Sequence, residues 1–121
     1  MADQLTEKII AAAIEVHKNL GPGLLESIYE EALCIELGLM GLEFQRQLAV
    51  DVTYKGRVIQ GQRLDLLVAN EVVVEIKSLR TLPEIATAQL LSYLKATGLK
   101  RGLLLNFGEK QMVGGVKRIS L

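Results

Sequence analysis

The chain has 121 residues, 14 basic and 14 acidic side chains, a formal net charge of zero, and a hydrophobic share of 50%. These values exclude an intrinsically disordered chain, which would be more polar and more highly charged. They also exclude a strongly basic nucleic-acid binder. The length predicts a single domain, residues 1–121, with one hydrophobic core. Contact with nucleic acid would therefore depend on a local patch or on a bound cation.

Cysteine use and hydropathy predict the cellular setting. Cys34 is the one cysteine, so no disulfide can form within the chain, and its apolar helical surroundings predict a buried thiol in a reducing compartment. The longest uninterrupted apolar run, residues 9–14, is too short to span a membrane. The N-terminus lacks the basic start of a signal peptide. We expect a cytoplasmic protein with no membrane partner.

The hydrophobic pattern predicts eight elements in the order ααβββαββ. Apolar residues at helical spacing favour helices over about 5–19 and 25–39, each followed by glycine. A change to alternating apolar and polar residues then favours strands. The remaining predicted elements are strands over about 44–54, 58–68 and 71–78, a helix with Pro83 at its first position and Gly98 at its end, and strands over 101–107 and 116–121. The order predicts an α/β (α+β) fold with a mixed central sheet flanked by helices.

Two of the predicted strands carry charged residues that would be costly to bury alone. Asp65 interrupts one apolar run, and Glu75 and Lys77 lie on one face of the next. If the turn between these strands spans the three residues 69–71, Asp65 stands directly opposite Glu75. Opposed side chains of an antiparallel pair have Cβ atoms about 4.5–5.5 Å apart. Two carboxylates at that distance can share one divalent cation.

The charged residues permit two interpretations. In the first they form a metal site, for which Mg²⁺ is suited because it prefers oxygen ligands and keeps several waters. Lys77 then projects from the same face about 7 Å beyond Glu75, within reach of whatever the metal holds. In the second they form a structural ion cluster, in which Arg63 and Lys77 neutralise Asp65 and Glu75. The spacing alone does not separate the two.

The same residues resemble a known family. Asp65 followed by Glu75-Ile76-Lys77 is similar to the D…(D/E)xK signature of the PD-(D/E)XK nuclease superfamily, although Leu64 stands where the signature has proline. Residues 23–29, GLLESIY, resemble the segment that names the GxxExxY proteins of that superfamily. Residues 89–93 resemble the QxxxY element of RecB-like nucleases, and 105–108 and 116–119 resemble the family's closing segments. The resemblance implies a restriction-endonuclease-like core.

The resemblance also implies roles for individual residues. The implied ligands of Mg²⁺ or Mn²⁺ are Asp65, Glu75, Glu26 and the main-chain carbonyl of Ile76. Lys77 would position or activate the attacking water, or stabilise the negative charge that develops on the phosphoryl group. Gln89 and Tyr93, which are four residues apart and share a helix face, would orient the substrate phosphate or Lys77.

Each supporting residue also has an ordinary structural interpretation. Glu26 is an acid near a helix N-terminus, where negative charge is favourable by about 0.3–1 kcal/mol. Gln89 and Tyr93 could form the polar edge of a core-facing helix. We expect Tyr29 to pack in the core. We expect His17, the one histidine, to lie at the surface or to have its hydrogen bonds satisfied within the fold.

The resemblance implies metal-assisted hydrolysis of phosphodiester bonds in nucleic acid, in DNA in preference to RNA. Two alternatives stay open. One is a catalytically silent module of the same fold that binds nucleic acid or protein. The other is a structural homodimer, which associates through the exposed face of the first strand or the apolar N-terminal helix. Metal binding that depends on Asp65 separates the enzyme from the second alternative.

Overall fold

The computed structural model describes residues 3–121, and its elements follow the predicted order ααβββαββ. The helices are α1 (Gln4–Leu20), α2 (Glu26–Leu39) and α3 (Glu84–Thr97), and the strands are β1 (Phe44–Tyr54), β2 (Arg57–Val68), β3 (Val72–Lys77), β4 (Arg101–Asn106) and β5 (Val116–Ser120). A short 3₁₀ helix, Met112–Gly115, precedes β5 and was not predicted. The fold is restriction-endonuclease-like, with helices packed against a mixed sheet.

Local sequence accounts for where the helices begin and end. The Asp3 carboxylate accepts the main-chain N–H of Leu5 at 3.0 Å and so caps α1. Gly98, at φ 76°, ends α3 in the left-handed conformation. The prediction for Pro83 was wrong by one position: its backbone is extended, with φ −74° and ψ 152°, so the helix begins at Glu84.

Within residues 3–121 the strands form one sheet in the order β1-β2-β3-β4-β5. Neighbouring strands are antiparallel except β3 and β4, which are parallel and joined through α3. One face packs against α1 and α2 in a core that includes Leu33 and Phe107. The other face packs against α3 in a core that includes Leu90. No helix in this part of the chain is long and apolar enough to cross a membrane.

Cys34 lies in the core of the α1 and α2 face, as predicted. Burial raises the pKa of its thiol to about 11. Because the thiolate is the reactive form of cysteine, this thiol is chemically inert at neutral pH.

The β1–β2 pair has a register shift between Val50 and Val52, and the alternation of its side chains also breaks at Asp65. Leu64 and Leu66 are two residues apart and would share a face in a regular strand. Instead, Leu66 packs in the core beneath α1 and α2, whereas Leu64 packs in the core beneath α3. The break falls at Asp65 and opposite Gln47, whose backbone has a φ of 51°. The strands are therefore distorted at the residue predicted to hold a metal.

Candidate active site

The register between β2 and β3 is the one that the sequence predicted. The turn spans residues 69–71, and the last regular pair is Leu66 with Val74. One step further along both strands, Asp65 falls beside Glu75. The pattern of buried residues therefore predicted the juxtaposition of the two carboxylates correctly.

Regular pairing stops at these carboxylates because their side chains replace the usual main-chain acceptors. The main-chain N–H of Asp65 donates to Glu75 Oε2 at 2.7 Å. The main-chain N–H of Ile76 donates to Asp65 Oδ2 at 2.8 Å. The Glu75 carboxylate on β3 is thus fixed by the backbone of β2, and the Asp65 carboxylate on β2 by the backbone of β3. Glu75 Oε1 and Asp65 Oδ1 take no part in these two bonds. The arrangement leaves two oriented oxygens at the strand break.

The surroundings of Asp65 and Glu75 disfavour the ionisation of both carboxyl groups at once. Glu75 is 3% exposed. Burial, and next the negative charge of Asp65, raise the pKa of Glu75 to about 8. The pKa of Asp65 is also raised, chiefly by burial. A bound cation would favour the ionised form of both groups.

The structural ion cluster is not formed. Within residues 3–121, no salt bridge joins Asp65 or Glu75 to a basic side chain, and Arg63 is exposed to solvent. Lys77 lowers the pKa of both carboxyl groups through its charge, but it does so from beyond contact distance. The buried Glu75 and the half-buried Asp65 are therefore hydrogen-bonded but have no salt-bridge partner within residues 3–121.

Helix α3 contributes polar side chains next to Lys77. The half-buried Lys77 donates from Nζ to Gln89 Oε1 at 3.5 Å, which is a long contact. Tyr93 is 3% exposed. Its pKa is raised by burial and then by the charges of Glu75 and Asp65. The structure thus brings Gln89 and Tyr93 to the same site as Lys77.

Glu26 lies at the edge of this arrangement. It is the first residue of α2 and is exposed, and its charge makes the smallest named contribution to the raised pKa of Glu75. Across residues 3–121, no three acidic, histidine or cysteine side chains converge closely enough to hold a metal ion. Asp65 and Glu75 therefore form a pair without a third preformed carboxylate ligand.

A polar network next to Asp65 was missed by the sequence analysis. Glu30, buried within α2, accepts from Arg46 Nε and Nη2 at 3.1 and 2.9 Å. The Gln47 side-chain amide donates to Glu30 Oε1 at 2.8 Å and to Asp65 Oδ1 at 3.4 Å. Glu30 lies four residues after Glu26 and shares its helix face, which is the one signal that could have identified it.

The Gly and Tyr of the GLLESIY segment have structural roles. Tyr29 is fully buried and stacks on Phe107 with ring centroids 4.5 Å apart, as expected for a core residue. Its hydroxyl donates to the Gly21 carbonyl and accepts the main-chain N–H of Leu24. Gly23 has a φ of 103°, which disfavours other residues. Together these contacts shape the turn that leads into α2 and hence to Glu26.

His17 is a satisfied histidine, one of the two outcomes expected from the sequence. It is buried, and its Nε2 donates to the Glu109 carbonyl at 2.7 Å. Its ring also lies 6.3 Å from that of Phe107. These contacts assign it to the packing between α1 and the loop after β4.

The segment after Lys77 is held by a buried amide that the sequence analysis did not single out. Asn106, 1% exposed, accepts the main-chain N–H groups of Leu79 and Gly108 on Oδ1, at 2.9 and 3.1 Å. Its Nδ2 donates to the Leu79 carbonyl at 3.0 Å. The main-chain carbonyl of Lys77 accepts from Phe107. The C-terminal ends of β3 and β4 are therefore tied together next to the site.

Comparisons with known proteins agree with this geometry. A solved structure titled "Crystal structure of SSO0001" superposes with a TM-score of 0.52, covering 96% of this chain and 77% of that one at 20% sequence identity. This similarity shows the fold. No match to a curated protein reached significance. The family profile described as the PD-(D/E)XK nuclease superfamily matches residues 3–119, almost the whole chain. The chain therefore belongs to the PD-(D/E)XK nuclease superfamily.

Proposed function

We propose that the protein is a metal-dependent phosphodiesterase that cleaves nucleic acid. The observation that carries the proposal is the pair of the buried Glu75 and the half-buried Asp65, which is fixed by main-chain hydrogen bonds and has no ion-pair partner among residues 3–121. Unpaired buried carboxylates are costly to a fold and are retained where they have a function. Because the chain belongs to a nuclease superfamily, the function that we propose for the pair is hydrolysis of phosphodiester bonds.

The residues present fit a divalent cation. Carboxylate oxygens are the ligands that Mg²⁺ and Mn²⁺ prefer, and no salt bridge within residues 3–121 neutralises the pair. Asp65, Glu75 and the Ile76 carbonyl would hold the ion, with Glu26 contributing through water. A cation bound there supplies Lewis acidity to the phosphodiester and lowers the pKa of water.

The protein's own residues supply orientation and charge. The Lys77 ammonium provides positive charge where the phosphoryl group gains negative charge in the transition state. Gln89 restrains the amine through its contact with Nζ. Tyr93, one turn after Gln89 on the same face of α3, would donate its hydroxyl to a substrate phosphate.

The substrate that we propose is DNA in preference to RNA. Without a cation, the Asp65–Glu75 pair has no positive charge to attract a polyanion, and the chain as a whole has no net charge to do so. A bound divalent cation makes the electrostatic potential at the site positive, so that substrate binding depends on metal binding. We also propose that the chain belongs to the GxxExxY group, that residues 1–121 act as one domain, and that the protein is cytoplasmic.

The test is calorimetric titration of Mn²⁺ and Mg²⁺ into the wild type and the Glu75→Gln variant, with and without a short DNA duplex or single strand. Glutamine retains an oxygen that can accept the Asp65 N–H, so the variant removes charge with little loss of structure. Saturable binding in the wild type that the variant loses, with cleavage of DNA but not of matched RNA, is the expected result. Absence of binding at millimolar metal would overturn the proposal.

A second candidate, a homodimer that binds rather than cleaves, is favoured by one surface. Large apolar side chains at the distal end of the β1–β2 pair are 40–60% exposed: Val52, Tyr54, Val58 and Ile59. Exposed apolar clusters often mark protein interfaces. Sedimentation equilibrium of the wild type and a Val58→Ser/Ile59→Ser variant tests this candidate, which predicts a dimer that the variant dissociates. A monomeric wild type would exclude it.

A further inference from the structure

Gln47 occupies a strained position beside the carboxylate pair. Its φ of 51° lies in the left-handed region, although it is neither glycine nor a residue that favours this conformation. Its neighbours Arg46 and Leu48 pair regularly with Leu66 and Leu64, so the irregularity is confined to Gln47 and Asp65. Such local strain persists only where surrounding contacts impose it, and it is concentrated at functional sites.

The contacts that hold the Gln47 backbone in the left-handed conformation are made by the Gln47 side chain. Its amide donates to Glu30 Oε1 at 2.8 Å and to Asp65 Oδ1 at 3.4 Å. Asp65 Oδ2 already accepts the main-chain N–H of Ile76, so Oδ1 is the oxygen left to face a cation. Gln47 is therefore the one side chain in the described structure that hydrogen-bonds this second oxygen.

Glu30 provides a fixed anchor for that amide. It is 7% exposed, and the Arg46 guanidinium donates two hydrogen bonds to its Oε2. A third donation, from Arg46 Nη1 to Glu31 at 2.6 Å, holds the guanidinium between two acids on α2. Glu30 Oε1 is thereby left for the Gln47 amide. A chain of hydrogen bonds thus connects Glu30 on α2, through Gln47 on β1, to Oδ1 of Asp65 on β2.

We propose that Gln47 is a positioning residue that orients the Asp65 carboxylate for metal binding, using the Arg46–Glu30 pair as its anchor. The inference rests on the proposed metal-dependent function and adds to it a residue outside the D…ExK signature. An amide suits the role because it donates to both acids at once, whereas a carboxylate in its place would repel them. Groups that orient metal ligands in this way typically change metal affinity 10–100-fold when they are replaced.

Two variants separate the amide from the backbone strain. Gln47→Met keeps the length of the side chain and the strain but removes both donors. Gln47→Asn keeps an amide and is better suited to the left-handed conformation, but its side chain is one methylene shorter and does not reach both acids. Gln45→Met, an exposed change two residues earlier on β1, is the matched control.

The experiment is calorimetric titration of Mn²⁺ into the wild type and the three variants, together with the midpoint of thermal unfolding of each metal-free protein. The expected result is Mn²⁺ affinity reduced about 10-fold or more in both Gln47 variants and unchanged in Gln45→Met. Gln47→Asn should unfold at or above the wild-type temperature, so that its lost affinity cannot be attributed to a weakened fold.

Two results would overturn the inference, and they differ from each other. If the wild type binds Mn²⁺ and both Gln47 variants bind it equally well, Gln47 does not position Asp65, and the proposed function stands. If the wild type itself fails to bind Mn²⁺, the proposed function fails and the role of Gln47 fails with it.

Discussion

Asp65 and Glu75 are joined by a hydrogen bond in which the main-chain N–H of Asp65 donates to Glu75 Oε2 at 2.7 Å. The contact replaces a normal strand-to-strand hydrogen bond and fixes one carboxylate to the backbone that carries the other. It also confines two acidic groups to a buried space, where burial and mutual repulsion raise the pKa of Glu75 to about 8. The two carboxyl groups are therefore held in place at a cost to the stability of the folded protein.

The first prediction concerns stability and pH. The folded-state pKa of Glu75 is raised from 4.5 to about 8, so the metal-free folded protein retains a proton that the unfolded chain releases. The stability from this group is fully present below pH 4.5 and is lost as pH rises towards 8, with a slope of at most about 1.4 kcal/mol per pH unit. The raised pKa of Asp65 acts in the same direction.

Denaturant unfolding of metal-free protein between pH 4.5 and 8 measures this effect. The Glu75→Gln variant should lose much of the pH dependence, whereas Glu84→Gln, at an exposed acid on α3, should retain it. Saturating Mn²⁺ should raise wild-type stability most at the alkaline end of the range. An unchanged slope in Glu75→Gln would show that this carboxyl group is not the one responsible.

The second prediction concerns Lys77. Replacing it with methionine removes the positive charge but keeps the length of the side chain, so the cleavage rate should fall about 100- to 1,000-fold, as for the loss of one transition-state donor. Mn²⁺ affinity should not weaken, since Lys77 is not an expected ligand. Single-turnover cleavage and calorimetry measure the two quantities, and Lys100→Met, at an exposed position, is the control. Equal cleavage by both variants would remove Lys77 from the mechanism.

The third prediction concerns Tyr29. Its hydroxyl bridges the Gly21 carbonyl and the Leu24 N–H, so Tyr29→Phe should leave both groups unsatisfied and destabilise the protein by about 1–3 kcal/mol. Metal affinity should stay within a few-fold of the wild type because Tyr29 is buried in the core, away from the carboxylates. Tyr54→Phe, at a residue that is 60% exposed, should have no effect on stability. A stable Tyr29→Phe protein that loses metal binding would instead indicate a direct role in the site.

The fourth prediction concerns the close approach after β4. A Cβ at Gly108 would lie 2.1 Å from the Leu79 carbonyl oxygen, in the segment that follows Lys77. Gly108→Ala should therefore destabilise the fold by about 1–3 kcal/mol or more and displace that segment. Gly38→Ala, in a helix with nothing within 4 Å of the new Cβ, should be neutral or stabilising. Thermal unfolding of the two variants compares them directly, and equal midpoints would contradict the prediction.

Periodicity was sufficient to predict the order of the elements and the β2–β3 register. A two-residue turn would have put Val74 opposite Asp65 and set the two faces in conflict, so the pattern favoured the three-residue turn that the structure has. Asp65 and Glu75 were therefore placed together without a structure. The 3₁₀ helix at Met112–Gly115 was missed because its glycine pair gives no helical signal.

The sequence by itself determined that β2 pairs with β3, which carboxylates meet and which family signature they complete, because each depends on spacing along the chain. Only the tertiary structure decided that Glu30, Arg46 and Gln47 belong beside Asp65. These residues come from a helix and an edge strand, and their meeting depends on how α2 packs across the sheet and on the strained backbone at Gln47. Neither the packing of α2 nor the strain at Gln47 can be predicted from the periodicity of the sequence.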